Sequence, residues 1–430
     1  MRKLILIVKK NWFEKKSYFL LTIPLICCCF LISCDTDNPI NTAGAEELFK
    51  NYDANFVSCL NSANAKVGKN VLIYEKMGQD LLPRKIKISC SHFELGYLFG
   101  LITKYYYNDT WQVTRNEQNK AINQGIINMY QTIYPEYLEF AKGYANAMDL
   151  TLDDIDLRVL EHMILSNLWW NIFHYQDFVN QTGFSKKSYN NCSIISYYLE
   201  NEQRHLIGRN FDNLSVRPHF LVETNMEGVY KVLGNTCYML YNWVEDGINE
   251  KGLFAGVVTN GHPAKYNYSE NYPNTPSVQV IHMVRIILEK CSTVEEALNI
   301  INSVRIWFPI EANHLLIADA LGNSAVVEFD LNRNMTAFKR KEPYLILTNT
   351  AYLEGIDYIR ENCWRYRTAE SRLTSGINNI DEMFDVISSI QPKSDGVRTL
   401  WTSLFDLTDL KMDVRFRSES YETSHIFNIK

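Results

Sequence analysis

The chain has 430 residues, a formal net charge of −6 and a sequence pI of about 5.9. Hydrophobic residues make up 46% of it, enough for a large core, and the length suggests more than one domain. No basic stripe stands out from this acidic balance, so nucleic acid is not an expected partner.

The chain opens with MRKLILIVKKNWFEKK, which is basic, and continues with SYFLLTIPLICCCFLIS, which is apolar. This is the pattern of a signal peptide, and the apolar run is short for a membrane span. It ends in Leu31-Ile32-Ser33-Cys34, which resembles a bacterial lipoprotein signal. That resemblance implies acylation of Cys34 and a mature chain beginning there. An uncleaved anchor helix is the other reading. Under both, the rest of the chain is expected in the cell envelope, facing the periplasm or the cell exterior and held to a membrane by its N-terminus.

From about Ala45 to Tyr189 the apolar spacing is mostly helical. Helices are expected over Ala45–Leu60, Phe93–Tyr107, Glu117–Ile133 and Tyr134–Met148, with one short strand at Lys85–Ser89. Thr151-Leu152-Asp153-Asp154 reads as a helix start, and that helix should run to about Phe173. The polar stretch QTGFSKKSYNN reads as an exposed loop.

After Cys192 the character changes to strands. They are expected at Ser193–Leu199, His205–Phe211, Phe220–Thr224, Gly228–Leu233, Cys237–Trp243, Leu253–Thr259, Leu315–Asp319, Ser324–Asp330, Met335–Arg340 and Tyr344–Thr348. Two more, Arg398–Leu404 and Lys411–Arg417, close the chain. Helices interrupt at Val278–Lys290, Val294–Ser303, Cys363–Thr374 and Ile380–Ile390. Many antiparallel strands with paired helices point to an α+β fold of stacked sheets with helices outside.

Beyond Cys34 the cysteines are Cys59, Cys90, Cys192, Cys237, Cys291 and Cys363. They show no CxxC and no metal-ligand spacing, so zinc is not expected; separately, no cofactor is implied. One disulfide, such as Cys59 with Cys90, is compatible with the compartment but not assigned. His205, His262, His282 and His314 lack metal spacing and read as loop or core histidines.

Cys192 stands apart in NNCSIISY, at the mouth of a strand. If Ser193–Leu199 and His205–Phe211 form a hairpin turning near Asn201-Glu202, Cys192 faces Phe211. Arg209 and Asp212 then lie close to it on the neighbouring strand. A guanidinium beside a thiol is expected to lower its pKa.

The stretch NNCSIISYYLENEQRHLIGRNFDN resembles the N-terminal nucleophile (Ntn) hydrolases of the choloylglycine hydrolase and penicillin acyltransferase type. Gly208-Arg209-Asn210-Phe211-Asp212 matches their Gly-Arg-x-x-Asp element. Asp246-Gly247-Ile248-Asn249-Glu250-Lys251-Gly252-Leu253 matches a Gly-x-Asn-Glu-x-Gly-Leu turn. Leu347-Thr348-Asn349 and Gly396-Val397-Arg398-Thr399-Leu400-Trp401 match later elements, in the right order. Upstream, Glu94-Leu95-Gly96-Tyr97-Leu98-Phe99-Gly100 resembles a Glu-x-Gly-x-x-x-Gly element in the prosegment of the acyltransferase branch.

The resemblance implies a four-layer αββα sandwich with two mainly antiparallel sheets, preceded by a mostly helical prosegment. Residues 1–34 would be the signal, 35–191 the tether and prosegment, and 192–430 the catalytic domain. It implies self-cleavage between Asn191 and Cys192, which frees an α-amine beside the thiol. Cys192 would be the nucleophile and its amine the base. Asp212 would bond that amine, and Arg209 would hold the local network. Asn349 would donate to the oxyanion, with Asn260 as a second donor and Arg398 as support. The implied activity is hydrolysis of a linear amide in a small N-acyl compound through a thioester. Acyl transfer, or hydrolysis of conjugated bile acids or penicillin V, is the alternative within the class. A non-catalytic lipoprotein that binds acyl ligands is the alternative outside it. A homo-oligomer is left open.

Overall fold

Alternation of side chains between two faces builds the centre of this molecule. The computed structural model describes residues 42–77, 83–107, 119–161, 192–213, 219–237, 244–260, 275–308, 313–330, 332–392, 397–417 and 421–430. Its first half contains α1 (Thr42–Val67), β1 (Leu72–Lys76), β2 (Pro83–Ile88), α2 (His92–Tyr107), α3 (Lys120–Ile133) and α4 (Pro135–Ala147). Asp154 closes a capping box on Thr151, accepting from its backbone N–H at 2.9 Å. Only a 3-10 turn (Leu152–Asp154) and a short helical turn (Leu157–Val159) follow before residue 161. The expected continuation to Phe173 lies outside the described residues, as do Cys34 and Asn191.

The second half begins with β3 (Ser193–Leu199), β4 (Arg204–Asn213), β5 (His219–Thr224), β6 (Val232–Thr236), β7 (Asp246–Asn249) and β8 (Phe254–Thr259). It continues through β9 (Val278–Gln279), α5 (Val280–Lys290), α6 (Val294–Asn302) and β10 (Ile306–Trp307). Then come β11 (Asn313–Ala318), β12 (Ser324–Phe329), β13 (Met335–Lys339) and β14 (Tyr344–Leu347). Helices α7 (Ile356–Asn362), α8 (Trp364–Leu373) and α9 (Ile380–Ser389) precede β15 (Arg398–Asp406), β16 (Lys411–Phe416) and β17 (His425–Asn428).

Among the described residues one sheet has nine strands in the order β1-β2-β5-β6-β7-β8-β11-β12-β13, a second has six in the order β14-β3-β4-β15-β16-β17, and β9 and β10 form a separate parallel pair. Every pairing in these two sheets is antiparallel except β2 with β5. The sheets stack. On β8, Phe254 and Val258 join the core between the sheets, while Ala255 and Val257 join the core under the helices. On β12, Val326 faces inward and Ala325 and Val327 face out. Helices α5 and α6 cover the nine-stranded sheet, and α8 and α9 cover the six-stranded one. This is the expected αββα arrangement.

The sequence reading differs from the fold in its treatment of the first half. That half supplies two strands to the larger sheet, and Ile86 lies opposite Val222 in the parallel pair. Its helices are also stapled to α5 by buried polar groups. Glu289 meets Arg285 on its own helix and His92 and Tyr134 from the first half. Burial pushes the Glu289 carboxyl up, but Arg285, His92 and Tyr134 outweigh it and hold it at about 2. Glu161 accepts from the Gln279 N–H at 3.1 Å and lies 3.0 Å from His282 Nδ1.

Two of the quoted motifs have structural explanations. Asn249 ties the β7–β8 turn to the end of α5, donating to the Leu288 and Cys291 carbonyls at 2.8 and 2.7 Å. Its oxygen accepts from the N–H groups of Lys251 and Leu253, and Gly252 takes φ +79°. Gly96 on α2 lies against α4, where an added Cβ would stand 1.9 Å from the Phe140 carbonyl oxygen. Gly143 on α4 is equally close to the Phe93 carbonyl. The glycines let the two helices touch backbone to backbone. Gly143→Ala should therefore cost about 2 kcal/mol of stability through overpacking. Thermal unfolding followed by circular dichroism checks this, and an unchanged midpoint would mean the helices do not pack at this distance.

Candidate active site

The β3–β4 hairpin pairs in the register read from the sequence. Ser193 lies opposite Asn210 and Leu199 opposite Arg204, so Cys192 stands beside Phe211. Cys192 and Arg209 are both buried, and Arg209 Nη2 is 3.9 Å from the sulfur. The Asp212 carbonyl is 3.8 Å from the same sulfur. On the next strand Thr399 pairs with Asp212 and Trp401 with Phe211, leaving Leu400 as a bulge. The Thr399 hydroxyl donates to Asp212 Oδ1 at 2.5 Å, and Trp401 stacks on Phe211 with centroids 3.9 Å apart.

Arg365, on α8, was not singled out in the sequence. Its Nη1 donates to the Cys192 carbonyl at 2.8 Å and to the Ser193 hydroxyl at 2.9 Å. Its Nη2 donates to Asn349 Oδ1 at 2.8 Å, and Nη1 lies 3.9 Å from Asp212 Oδ2. One guanidinium thus joins the nucleophile's backbone, the carboxylate and the amide just beyond β14. Asn349 Nδ2 donates to the Thr259 carbonyl at 2.6 Å. A primary amide carries two N–H donors, so a second remains for another acceptor. Asn260 follows Thr259 directly and is buried.

Arg398 was expected to support this group. It is instead exposed at the start of β15, opposite Asn213, and Arg365 holds the contacts to Asn349 and Asp212. The sequence did carry a signal for Arg365. It shares a buried stripe with Ala369 and Leu373, at spacings of four, on an otherwise charged helix.

Burial pushes Cys192 up to about 11, against the opposing pull of Arg209. The expected lowering does not occur, because desolvation outweighs the guanidinium. Burial also pushes Asp212 up to about 7, although Arg365, Thr399 and Arg209 oppose it. The six described cysteines are all free and buried, so Cys59 and Cys90 form no disulfide. Among the described residues no group of His, Cys, Asp or Glu could hold a metal ion.

The family model for acyl-coenzyme A:6-aminopenicillanic acid acyl-transferase matches residues 199–421. Among solved structures, two variants of conjugated bile acid hydrolase from Clostridium perfringens are similar at 17% and 16% identity. Each match covers 55% of this chain and 92% of that chain, with a TM-score of 0.47. Penicillin V acylase from Agrobacterium tumefaciens is 18% identical over 55% of this chain and 85% of its own, with a TM-score of 0.41. No curated protein matches the chain.

The raised Asp212 value has a consequence for stability. The folded value of about 7 lies above the ordinary 3.8. Such an acid favours the folded state while protonated, so its contribution is complete below about pH 4 and is lost as pH rises through about 7. Asp212→Asn should remove that dependence. In a Cys192→Ala background, which bars the expected self-cleavage, thermal unfolding with and without Asp212→Asn should then diverge in the Asp212→Asn variant's favour from about pH 4 to about pH 7 and level off above. A constant difference would contradict an ionisable carboxyl buried here.

Proposed function

Because this chain belongs to the acyl-coenzyme A:6-aminopenicillanic acid acyl-transferase family, we propose that it is a self-processing cysteine amidohydrolase acting on linear N-acyl amides. The observation that carries this reading is the convergence of Arg209, Asp212 and the Arg365–Asn349 pair on Cys192, the first residue before β3.

The chemistry proceeds in two stages. In the precursor the Cys192 thiol attacks the Asn191 carbonyl, and the peptide bond is replaced by a thioester. Water hydrolyses that thioester, leaving a carboxyl on Asn191 and a free amine on Cys192. An α-amine has a pKa near 8, well placed to take a proton at neutral pH. A buried thiol at about 11 needs a base at hand, and after cleavage the base sits on the same residue. The protonated amine would in turn keep Asp212 ionised and hydrogen-bonded to it.

In the second stage the thiolate attacks the substrate amide carbonyl. Charge develops on the carbonyl oxygen, and the second amide N–H of Asn349 meets it, with Asn260 as a further donor. The ammonium of Cys192 returns its proton to the leaving nitrogen, and the amine departs. The acyl group remains as a thioester on Cys192. Attack by water releases the acid; attack by an amine gives acyl transfer through the same intermediate. Removing one oxyanion donor costs about 3 kcal/mol in such sites, so Asn349→Ala should lower kcat about 100-fold or more. In this reading the acylated Cys34 keeps the enzyme on a membrane outside the cytoplasm, where small N-acyl compounds are its substrates.

Expression of the full chain, followed by a denaturing gel and N-terminal mass analysis, tests the reading. Two fragments are expected, the larger beginning at Cys192, and Cys192→Ala should stay a single chain. A parent chain that remains intact and also resists a thiol-reactive acyl probe would overturn the proposal.

A further inference from the structure

Asp246 belongs to a motif quoted from the sequence, yet the chemistry above leaves it without a role. It is fully buried on β7, facing Arg209 across the space between the sheets. Asp246 Oδ2 lies 2.9 Å from Arg209 Nε. The N–H is not aimed along that line, so the contact is an ion pair and not an aligned hydrogen bond. Arg209 Nη1 donates to the Glu245 and Val257 carbonyls at 3.0 and 3.2 Å. Only Nη2 is turned toward the Cys192 sulfur.

Asp246 is held in its own right. Its Oδ1 accepts from Asn235 Nδ2 at 2.6 Å, across the β6–β7 pair where the two residues are direct partners. Asn235 Nδ2 also reaches the Ser403 hydroxyl at 3.0 Å, and Asn235 Oδ1 lies 2.8 Å from His219 Nε2. The order Cys192, Arg209, Asp246, Asn235, His219 therefore runs from the smaller sheet through three strands of the larger one.

A buried guanidinium without a counter-ion is costly, and beside a thiol it would draw the proton off sulfur. We propose that Asp246 is the fixed counter-ion of Arg209, positioning its guanidinium and offsetting part of its pull on the Cys192 thiol. The nucleophile then stays protonated until its own amine takes the proton. Asp246 touches neither sulfur nor substrate, so it is a positioning residue. Among the described residues, the other charged or titratable groups that face the thiol are Asp212 on β4, Glu245 ahead of β7 and Arg365 on α8. Glu245 and Asp212 oppose ionisation of the thiol, so Asp246 shares that task with them. The inference rests on Cys192 being the nucleophile, but its test needs neither self-cleavage nor turnover.

The full chain, as parent and as Asp246→Asn, is treated with iodoacetamide across a pH series. Labelling of Cys192 is read by peptide mass, separately for cut and uncut chains. The midpoint of the rate profile should fall by about one pH unit in Asp246→Asn, the effect of an uncompensated neighbouring cation. An unchanged or raised midpoint in folded Asp246→Asn overturns the proposal. If that variant does not fold, Asn235→Ala decides. It leaves the carboxyl in place but removes the bond that favours its charged form. A smaller shift in the same direction supports the proposal, and no shift overturns it. Absence of self-cleavage or amide hydrolysis in the parent would sink the functional reading and leave this measurement intact.

Discussion

The pairing register of the β3–β4 hairpin is the constraint on which the site depends. Strand side chains alternate, so a slip of one residue would turn Arg209 away from the inter-sheet space. Ser193 opposite Asn210 puts Cys192 and Arg209 on one side, where the guanidinium meets the carbonyls of Glu245 and Val257. Burial specifies this register strongly. Ile194 packs against Gly256 of the larger sheet, and Gly208 on the other face leaves room for Met383 and Ile387 of α9. Apolar packing on both faces of two strands thus holds in place the polar groups at their end.

The charges around Cys192 are all deeply buried, which alters what proximity achieves. Arg209 adjoins the thiol but is ion-paired with Asp246, and desolvation keeps the sulfur protonated. Arg365 adjoins Asp212 but spends its best hydrogen bonds on the Cys192 carbonyl, the Ser193 hydroxyl and the Asn349 amide. The site is therefore ordered before any proton moves. The first half of the chain contributes to that order at a distance. It closes one edge of the larger sheet with β1 and β2, and its buried polar contacts clamp α5 over the same sheet. The apolar core runs across Cys192, with residues from both sides of it in one cluster.

Much of this was legible in the sequence. Strands β3 to β5, β8 and β11 to β16 were expected close to their observed bounds, and the turn near Asn201 predicted the hairpin register that gathers Cys192, Arg209 and Asp212. Other parts had no local signature. β7 is only Asp246-Gly247-Ile248-Asn249, which reads as a turn; two antiparallel neighbours make it a strand. β1 had no local signature, while β2, expected as a lone strand at Lys85–Ser89, gains its place in the sheet from a parallel partner more than a hundred residues later, Ile86 with Val222. Arg398 lies in a matched motif, but a strand's first residue can be exposed whatever its motif. Arg365 was hidden among the other arginines of α8, and only its position on the buried stripe distinguishes it. The pKa of Cys192 followed the burial of the site, which the sequence near it does not report.

The central claim is that Cys192 becomes acylated during amide cleavage. The most direct measurement is to incubate the protein with an N-acyl p-nitroanilide, quench it in acid and map the adduct by peptide mass. The account predicts an acyl group on the Cys192 sulfur that hydroxylamine removes. Release of the aniline with no adduct on Cys192, or with a stable adduct on another residue, would contradict it.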